Sequence, residues 1–414
     1  MMNIVLAAAF LAIQPVLVRT ASADQEGWAT LAAAQASALP GFFDGVRLPG
    51  GPSSPVALPG LPVFRAAPPE GIPAAGIPFN GATLPRAVFS GQESVSGHLV
   101  RAVDATQGGL KLMLYDFSLQ DVWDALERAV SRSPAVEVMV ILDQGHVFPR
   151  AGRKPNAIIV KLVADPRIKT RIVAGLGDYG LMHNKIAIFD GKLVKTGSFN
   201  WSKAAQMSNH ENAVFSDETA RVAAFSAYWD WVWAHAYPPD APRPPPELAG
   251  NPPEDPSPGV SFHSARFPVA VFSPKGGAAE RILSAIGCSR STIDVAMFSF
   301  TSRALAEALW ERVQAGVRVR VLLDRKQSRS PYSVLPYLRE KGMEVAIIDG
   351  RTKAGVLHDK YGIFDGLLVG TGSYNWTTNG EFYSFENAAF LADPADVSSF
   401  KADFERLWGL GRKD

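Results

Sequence analysis

The chain has 414 residues, 47% hydrophobic and 20% charged, with a formal net charge of +1. That length allows about two to three domains and a sizeable core, while near-neutrality excludes a protein that holds polyanions by overall charge, leaving only local patches to do so. The single cysteine, Cys288, excludes an internal disulfide framework and a cysteine-rich zinc site, and its place behind the apolar run 282–286 reads as a small core filler.

At the N-terminus, residues 4–13 are nearly all apolar, too few to span a bilayer, and Ala21-Ser22-Ala23 offers a small-residue cleavage site before Asp24. A signal peptide over 1–23 and a secreted or periplasmic protein are expected. No Lys or Arg precedes the apolar run and Arg19 follows it, which keeps an uncleaved surface anchor open as the alternative. Residues 24–80 form an extension, Pro/Gly-rich over 39–79 and expected to hold no regular structure. A second Pro-rich stretch, 238–260, reads as a stiff, extended surface linker.

These stretches bracket two lobes, 81–237 and 261–414, that are copies of each other. Val88-Phe89-Ser90 answers Val271-Phe272-Ser273; Phe117-Ser118 is matched with Phe298-Ser299, and 140–143 with 321–324, both 181 residues on. Then His183, Lys185, Asp190, Gly197, Ser198, Asn200, Trp201, Glu211 and Asn212 meet His358, Lys360, Asp365, Gly372, Ser373, Asn375, Trp376, Glu386 and Asn387, each 175 residues further on. Within each copy the order is the same. Apolar runs at 110–114 and 293–298 predict buried strands, and amphipathic periodicity predicts helices near 121–130 and 303–314. Strand-like runs follow at 136–142 and 317–323, then 185–189 and 361–364, each leading into Asp-Gly, a hairpin-turn signal. Phe225, Trp229, Val232 and Trp233, answered by Phe400, Phe404, Leu407 and Trp408, have helical spacing and read as core. Strands alternating with helices predict an α/β fold: two duplicated, layered α-β-α lobes with mixed sheets.

The residues with chemistry fall in matched places. Residues two apart on a strand share a face, so His183 and Lys185 are expected to project together, as are His358 and Lys360. Ser198, Asn200, Ser373 and Asn375 put hydroxyls and amides by a glycine turn, and Glu211 and Glu386 add carboxylates. Cleaving a phosphodiester needs a nucleophile, a proton for the leaving oxygen, and donors for the phosphoryl oxygens. One neutral imidazole can attack phosphorus and a second, protonated, can release the alcohol. Two lysines and two asparagines suit the non-bridging oxygens, and each carboxylate can orient an imidazole through its other N–H. No metal and no organic cofactor are called for. Asp190 and Asp365, sitting in Asp-Gly turns, are expected to be structural.

His-x-Lys-x4-Asp followed by Gly-Ser-x-Asn and Glu-Asn resembles the phospholipase D superfamily, and the resemblance covers both copies over 86–408. It implies that the two motifs meet across a pseudo-two-fold axis in one site and work through a phosphohistidine. His183 and His358 are then the nucleophile and acid, in that order; Lys185, Lys360, Asn200 and Asn375 bind phosphate, with Ser198 and Ser373 assisting. Within the superfamily the sequence resembles the small members, the bacterial non-specific endonuclease and the mitochondrial cardiolipin hydrolase/nuclease, and the run 183–214 closely resembles the endonuclease. Those relatives pair two chains; here the fusion does so internally, so a monomer needing no partner protein is expected.

For substrate, Arg153, Lys154, Lys161, Arg167 and Lys169 lie between Arg150 and Arg171, and Arg318, Arg320, Arg325, Lys326 and Arg329 precede the second motif. As a basic rim they favour DNA or RNA without sequence readout; as ordinary solvated charges, or as a rim for anionic headgroups, they do not. A phospholipase D acting on glycerophospholipids is the rival enzyme, with Phe42, Phe43, Leu61 and Phe64 available to cover a cleft or touch a membrane. A catalytically silent phosphate- or nucleic-acid-binding protein is the reading from another class.

Overall fold

The computed structural model describes residues 76–413 apart from 133, 151, 243–247 and 256–258. The expected signal peptide and nearly all of the 24–80 extension, including Phe42, Phe43, Leu61 and Phe64, lie outside the described residues. Among the described residues no helix is long and apolar enough to cross a membrane.

Regular structure begins earlier than expected. Strands β1 (Ile77–Phe79) and β2 (Ala82–Leu84) form a hairpin turning at Asn80-Gly81, so the last three residues of the stretch expected to be irregular are a strand. Ile77 and Phe79 are buried on either side of exposed Pro78, and Phe79 meets the Phe189 ring edge-on. Three residues of alternation are too few to outweigh the Pro/Gly punctuation around them.

The first lobe continues with β3 (Ala87–Phe89), α1 (Val95–Ala105), β4 (Gly109–Leu114), α2 (Gln120–Ser131), β5 (Glu137–Asp143), α3 (Gln144–Val147), α4 (Ala157–Ala164), β6 (Ile168–Val173), β7 (Lys185–Phe189), β8 (Leu193–Thr196), α5 (Lys203–Met207), β9 (Asn212–Ser216) and α6 (Thr219–His235). Its sheet runs β3-β9-β8-β7-β4-β5-β6, with β4, β5 and β6 parallel and the other pairs antiparallel.

The second lobe repeats this as β10 (Val260–Phe262), β11 (Ala265–Phe267), β12 (Ala270–Ser273), α7 (Ala278–Cys288), β13 (Thr292–Met297), α8 (Arg303–Gln314), β14 (Arg318–Asp324), α9 (Leu335–Glu340), β15 (Glu344–Ile348), β16 (Lys360–Phe364), β17 (Leu368–Gly372), α10 (Thr378–Phe382), β18 (Glu386–Leu391) and α11 (Pro394–Leu410). A short β19 (Arg412–Lys413) extends the edge of a sheet ordered β12-β18-β17-β16-β13-β14-β15-β19.

Both faces of each sheet are covered, which is why the central strands are apolar on both sides. In the first lobe Leu110, Leu112 and Leu114 face Leu99, Val103, Val122 and Leu126 of α1 and α2, while Met113, Ile186 and Ile188 face Phe225, Trp229 and Val232 of α6. The α6 layer also meets the other lobe: Tyr228 stacks on Phe272 with ring centroids 3.9 Å apart. Reciprocally, Phe400 of α11 packs on Phe89, centroids 5.1 Å apart. The lobes are thus joined by the two helices that close each copy, consistent with layered α-β-α lobes.

One expected correspondence is corrected. Phe117 bridges Trp201, and the residue that bridges Trp376 is Phe300, so Phe117 answers Phe300 and not Phe298. Tyr115 answers Phe298, as their N–H groups donate to Asn184 and Asp359 carbonyls respectively. The copies differ by two residues in the connection after α2 and α8, which a single offset cannot follow.

The two Asp-Gly turns have positive φ at both residues, 52° and 62° at Asp190-Gly191 and 54° and 62° at Asp365-Gly366, as two-residue hairpins of this handedness require. The Asp190 carboxylate accepts from the N–H groups of Gln107, Gly108 and Gly109, and Asp365 from those of Arg290, Ser291 and Thr292. Each aspartate therefore fastens its hairpin to the start of the neighbouring strand. The described part of the 238–260 linker carries no helix or strand until Val260, which opens β10, and is pinned to the second lobe, with Pro252 buried and Asp255 accepting from Val269 N–H at 2.6 Å.

Candidate active site

The site forms where the segments leading into β7 and β16 cross the lobe boundary. His183 lies just before β7, and its N–H donates to the Phe385 carbonyl of the other lobe at 3.0 Å; His358 N–H donates to His210 at 2.8 Å. Lysine, not histidine, is therefore the first strand residue in each motif. One residue ahead of each histidine, Asp143 accepts from Met182 N–H at 2.9 Å and Asp324 from Leu357 N–H at 3.0 Å. The sequence had placed both aspartates only in matched apolar runs, with no role.

The two histidine rings meet edge-on, nearly perpendicular, with centroids 6.4 Å apart. Each is held by the carboxylate of the opposite lobe. His183 Nδ1 is 2.9 Å from both oxygens of Glu386, and His358 Nδ1 is 2.7 Å from Glu211 Oε2. Neither half is complete alone. An aromatic ring sits edge-on to each imidazole: Tyr115 at 4.8 Å from His183, Phe298 at 4.7 Å from His358. The lysine amines lie over those same rings, 4.8 and 4.9 Å from the centroids, and donate to the carbonyls of His183 and His358. His183, Lys185, Glu211, His358, Lys360 and Glu386 are all buried.

The serines and asparagines divide the remaining work differently from expectation. Ser198 Oγ donates to Glu211 Oε2 at 2.8 Å and accepts from Asn212 N–H at 2.9 Å; Ser373 bonds Glu386 and accepts from Asn387 N–H at 3.0 Å. Their protons are committed to the carboxylates, so they brace the histidine holders instead of reaching for phosphate. Glycine precedes each serine because the chain runs hard against β9 and β18: a Cβ on Gly197 would lie 2.5 Å from the Asn212 carbonyl oxygen. Asn200 Oδ1 is buried without a hydrogen-bond partner among the described residues, whereas Asn375 Oδ1 accepts from Ser299 N–H at 3.3 Å. Asn212 and Asn387, whose role the sequence left blank, bind the lobes together. Asn212 Nδ2 donates to Asp359 and its Oδ1 accepts from Thr371; Asn387 Nδ2 donates to Asn184 and its Oδ1 accepts from Thr196.

Burial dominates the electrostatics, because it disfavours whichever form is charged. It pushes His183 well below the ordinary histidine value and His358 down to about 4, with Lys185 and Lys360 adding repulsion at both rings. Burial likewise lowers Lys185 well below the ordinary lysine value and Lys360 to about 8. The carboxylates part company: burial raises Glu386 to about 8, while His358, Lys360 and Asn209 overcome burial and lower Glu211. Both imidazoles are therefore neutral in the empty site at neutral pH.

The expected basic rim shrinks. Arg167 pairs with Asp165, Lys169 with Glu137, Arg318 with Glu344 and Arg325 with Asp349. Arg320 is buried between Asp294 and Glu405 and is part of the core. Arg150, Arg153, Lys154 and Arg329 remain exposed. A surface pocket of about 460 Å³ lined by Lys111, Asp190 and Lys192 lies at the other end of β4 and β7 and holds none of the predicted site residues.

Two duplicated lobes that meet at paired histidines, each flanked by a lysine and held by the other lobe's carboxylate, are the arrangement expected of the phospholipase D superfamily. Residues 99–233 and 282–408 each match the protein-family model described as "Cardiolipin synthase, PLD-like domain", and the chain belongs to that family. It is 32% identical over 130 residues to the mitochondrial cardiolipin hydrolase of Chlamydomonas reinhardtii (31% of this chain, 57% of that protein). With the Homo sapiens protein of the same name it shares 35% over 136 residues (33% and 53%). The chain thus spans a little over half the length of these relatives. A phosphatidylserine synthase structure from Haemophilus influenzae Rd KW20 matches the fold with a TM-score of 0.63 at 15% identity, covering 80% of this chain and 87% of that one.

Proposed function

We propose that the chain is a secreted, metal-independent nuclease that cuts DNA or RNA through a phosphohistidine on His183. The observation that carries this reading is the cross-lobe holding of the two imidazoles. With Nδ1 turned to Glu386, His183 presents its other ring nitrogen, Nε2, to phosphorus. As the N–P bond forms, the P–O bond to the leaving group breaks, and His358 gives that oxygen a proton. Water then attacks the phosphohistidine, loses its proton to the now neutral His358, and the N–P bond breaks. Lys185 and Lys360 balance the phosphoryl charge in a dry site, where fixed donors act most strongly, and the side-chain amides of Asn200 and Asn375 flank them.

His358 must arrive protonated although it is neutral in the empty enzyme. A diester anion between the two lysines cancels the repulsion that they exert on both rings, so the proton enters with the substrate. A nucleic-acid substrate is supported by the exposed Arg150, Arg153 and Lys154 on the loop beyond β5 and by the likeness of 183–214 to the non-specific endonuclease. Export rests on the apolar N-terminus with its Ala-Ser-Ala. The phospholipid reading has its own support: Phe148 on that same loop is 52% exposed, as are Met207 and Phe382 in large part at the ends of α5 and α10, and the curated relatives bear the name cardiolipin hydrolase.

One assay separates these. Plasmid DNA, single-stranded DNA, phosphatidylcholine vesicles and cardiolipin vesicles are each incubated with EDTA and either wild type or His183→Ala. Chelator-resistant DNA cleavage that falls about 10⁴-fold or more in the variant is expected. Headgroup release from either vesicle with no cutting of DNA overturns the nuclease reading, and no turnover of any substrate overturns the enzyme reading.

A further inference from the structure

The duplicated halves are not chemically equal, and one difference close behind the reacting atoms is at Asn209. Its side chain spans the lobe boundary. Nδ2 donates to Glu211 Oε1 at 3.0 Å, while Oδ1 accepts from Val356 N–H at 3.2 Å, two residues before His358. Because Oδ1 is occupied by a backbone donor, the amide's orientation is fixed and its N–H must face the carboxylate. The backbone is clamped as well: the Asn209 carbonyl accepts from Ser90 Oγ at 2.7 Å and from Arg351 Nε at 2.8 Å. In the other half Ser384 holds this place. Its Oγ accepts from Leu181 N–H at 3.1 Å, two residues before His183, which reproduces one arm of Asn209. No bond from Ser384 to Glu386 is made among the described residues. A hydroxyl is one atom too short to do what the amide does.

We propose that Asn209 is a positioning residue that makes the halves unequal, fixing the Glu211 carboxylate against His358 so that His358 delivers the proton and His183 attacks. The inference rests on the phosphohistidine reading above and deepens it. Glu211 takes three side-chain donors, from His358, Ser198 and Asn209; Glu386 takes two, from His183 and Ser373. The ionisable groups around Glu211 are His358, Lys360, Lys185, Lys195, His210, Arg351 and Asp359, and those around Glu386 are His183, Lys185, Lys360, Tyr228 and Tyr374. A further amine, Lys195, lowered by burial to about 7, is thus on the Glu211 side, where the second lobe has Gly370. An imidazolium is best held by an ionised carboxylate and a neutral imidazole needs only an acceptor, so the better-supplied Glu211 belongs with the acid.

Asn209→Ser, which installs the second lobe's own residue, and Asn209→Ala test this by leaving-group dependence. The activated diester bis(p-nitrophenyl) phosphate needs little help from an acid; an unactivated diester, plasmid DNA or phosphatidylcholine vesicles, whichever the wild type cleaves, needs it fully. Both variants should lose about tenfold or more in kcat on the unactivated diester, and less than about threefold on the activated one. The alkaline limb of the pH–rate profile should move to lower pH, and Asn209→Gln should restore part of the loss. Equal losses on both substrates with an unmoved pH profile overturn the proposal. Thermal melts of each variant exclude unfolding as the cause, and Asn209→Ser keeps the test open if Asn209→Ala does not fold. His183→Ala and His358→Ala run alongside: if they keep full activity the phosphohistidine reading itself fails, whereas if they are inactive and Asn209→Ser scales both substrates alike, only this inference does.

Discussion

The ground behind His358 is charged, and the ground behind His183 is aromatic. Next to His358 stand Asp359, which bonds Asn212, then Asp403 with Tyr361, Gln92 and Arg406 around it, and buried His210. At the matching places around His183 are Asn184, Tyr228, Trp231 and, from the second lobe, Phe385, with Tyr228 stacked on Phe272. Duplication preserved the paired histidines, lysines and glutamates and let the supporting layer drift. In a low-dielectric interior such a layer is not neutral filling, because every fixed charge there is felt by its neighbours. Two identical motifs can then take opposite roles.

The same drift appears far from the chemistry, and it gives the largest expected effect. Arg320 and Asp294, each 9% exposed, form a two-pronged pair at 2.6 and 2.9 Å that Glu405 completes. The matching corner of the first lobe has Met139 with an exposed Lys111–Asp230 pair. Removing one partner of a buried pair strands the other, so Arg320→Ala should destabilise by about 3–5 kcal/mol. Lys111→Ala should cost below about 1 kcal/mol. Chemical denaturation of both variants checks this, and equal losses would break the contrast.

Next in size are the carboxylates. Glu386, raised to about 8, is largely protonated at pH 7, and glutamine imitates a neutral carboxyl. Glu386→Gln should therefore lose less than about tenfold in kcat, while Glu211→Gln, which removes a charge facing the acid, should lose about 100-fold. Reversed magnitudes would exchange the roles of the lobes. Smallest is a binding effect. Sulfate keeps its charge across the range in which histidine titrates, so binding it between the lysines should draw a proton onto an imidazole whose pKa is low when the site is empty. Its affinity should rise several-fold for each pH unit lowered from 7 to 5. Calorimetry in two buffers of different ionisation heat should register proton uptake; an affinity flat in pH would contradict it.

Much of this was legible in the residues. Helices α2 and α8, strands β5 and β14 and the Asp-Gly hairpins fall within a residue or two of expectation, because periodicity and turn chemistry act locally. The candidate site residues stood out as a set because duplication marks them twice. Three things were not legible. Glu211 and Glu386 could be seen as imidazole holders, yet that each serves the opposite lobe depends on how the lobes dock. Ser198 and Ser373 looked like phosphate ligands because a hydroxyl's partner is set by the neighbouring strand, here β9 or β18. Arg320 looked like a rim cation because only the packing of α11 over β14 shows Glu405 and Asp294 closing on it.

The central claim is that two imidazoles from different lobes act in sequence on one phosphorus atom, His183 bonding to it. His358→Ala, quenched in alkaline denaturant after mixing with bis(p-nitrophenyl) phosphate and digested under alkaline conditions, which preserve an N–P bond, for mass spectrometry, tests this most directly. Without His358 the second step lacks its base, so a burst of about one nitrophenol per chain and a phosphoryl adduct on the peptide carrying His183 are predicted. An adduct on another residue, or full turnover with no adduct at all, would contradict the account.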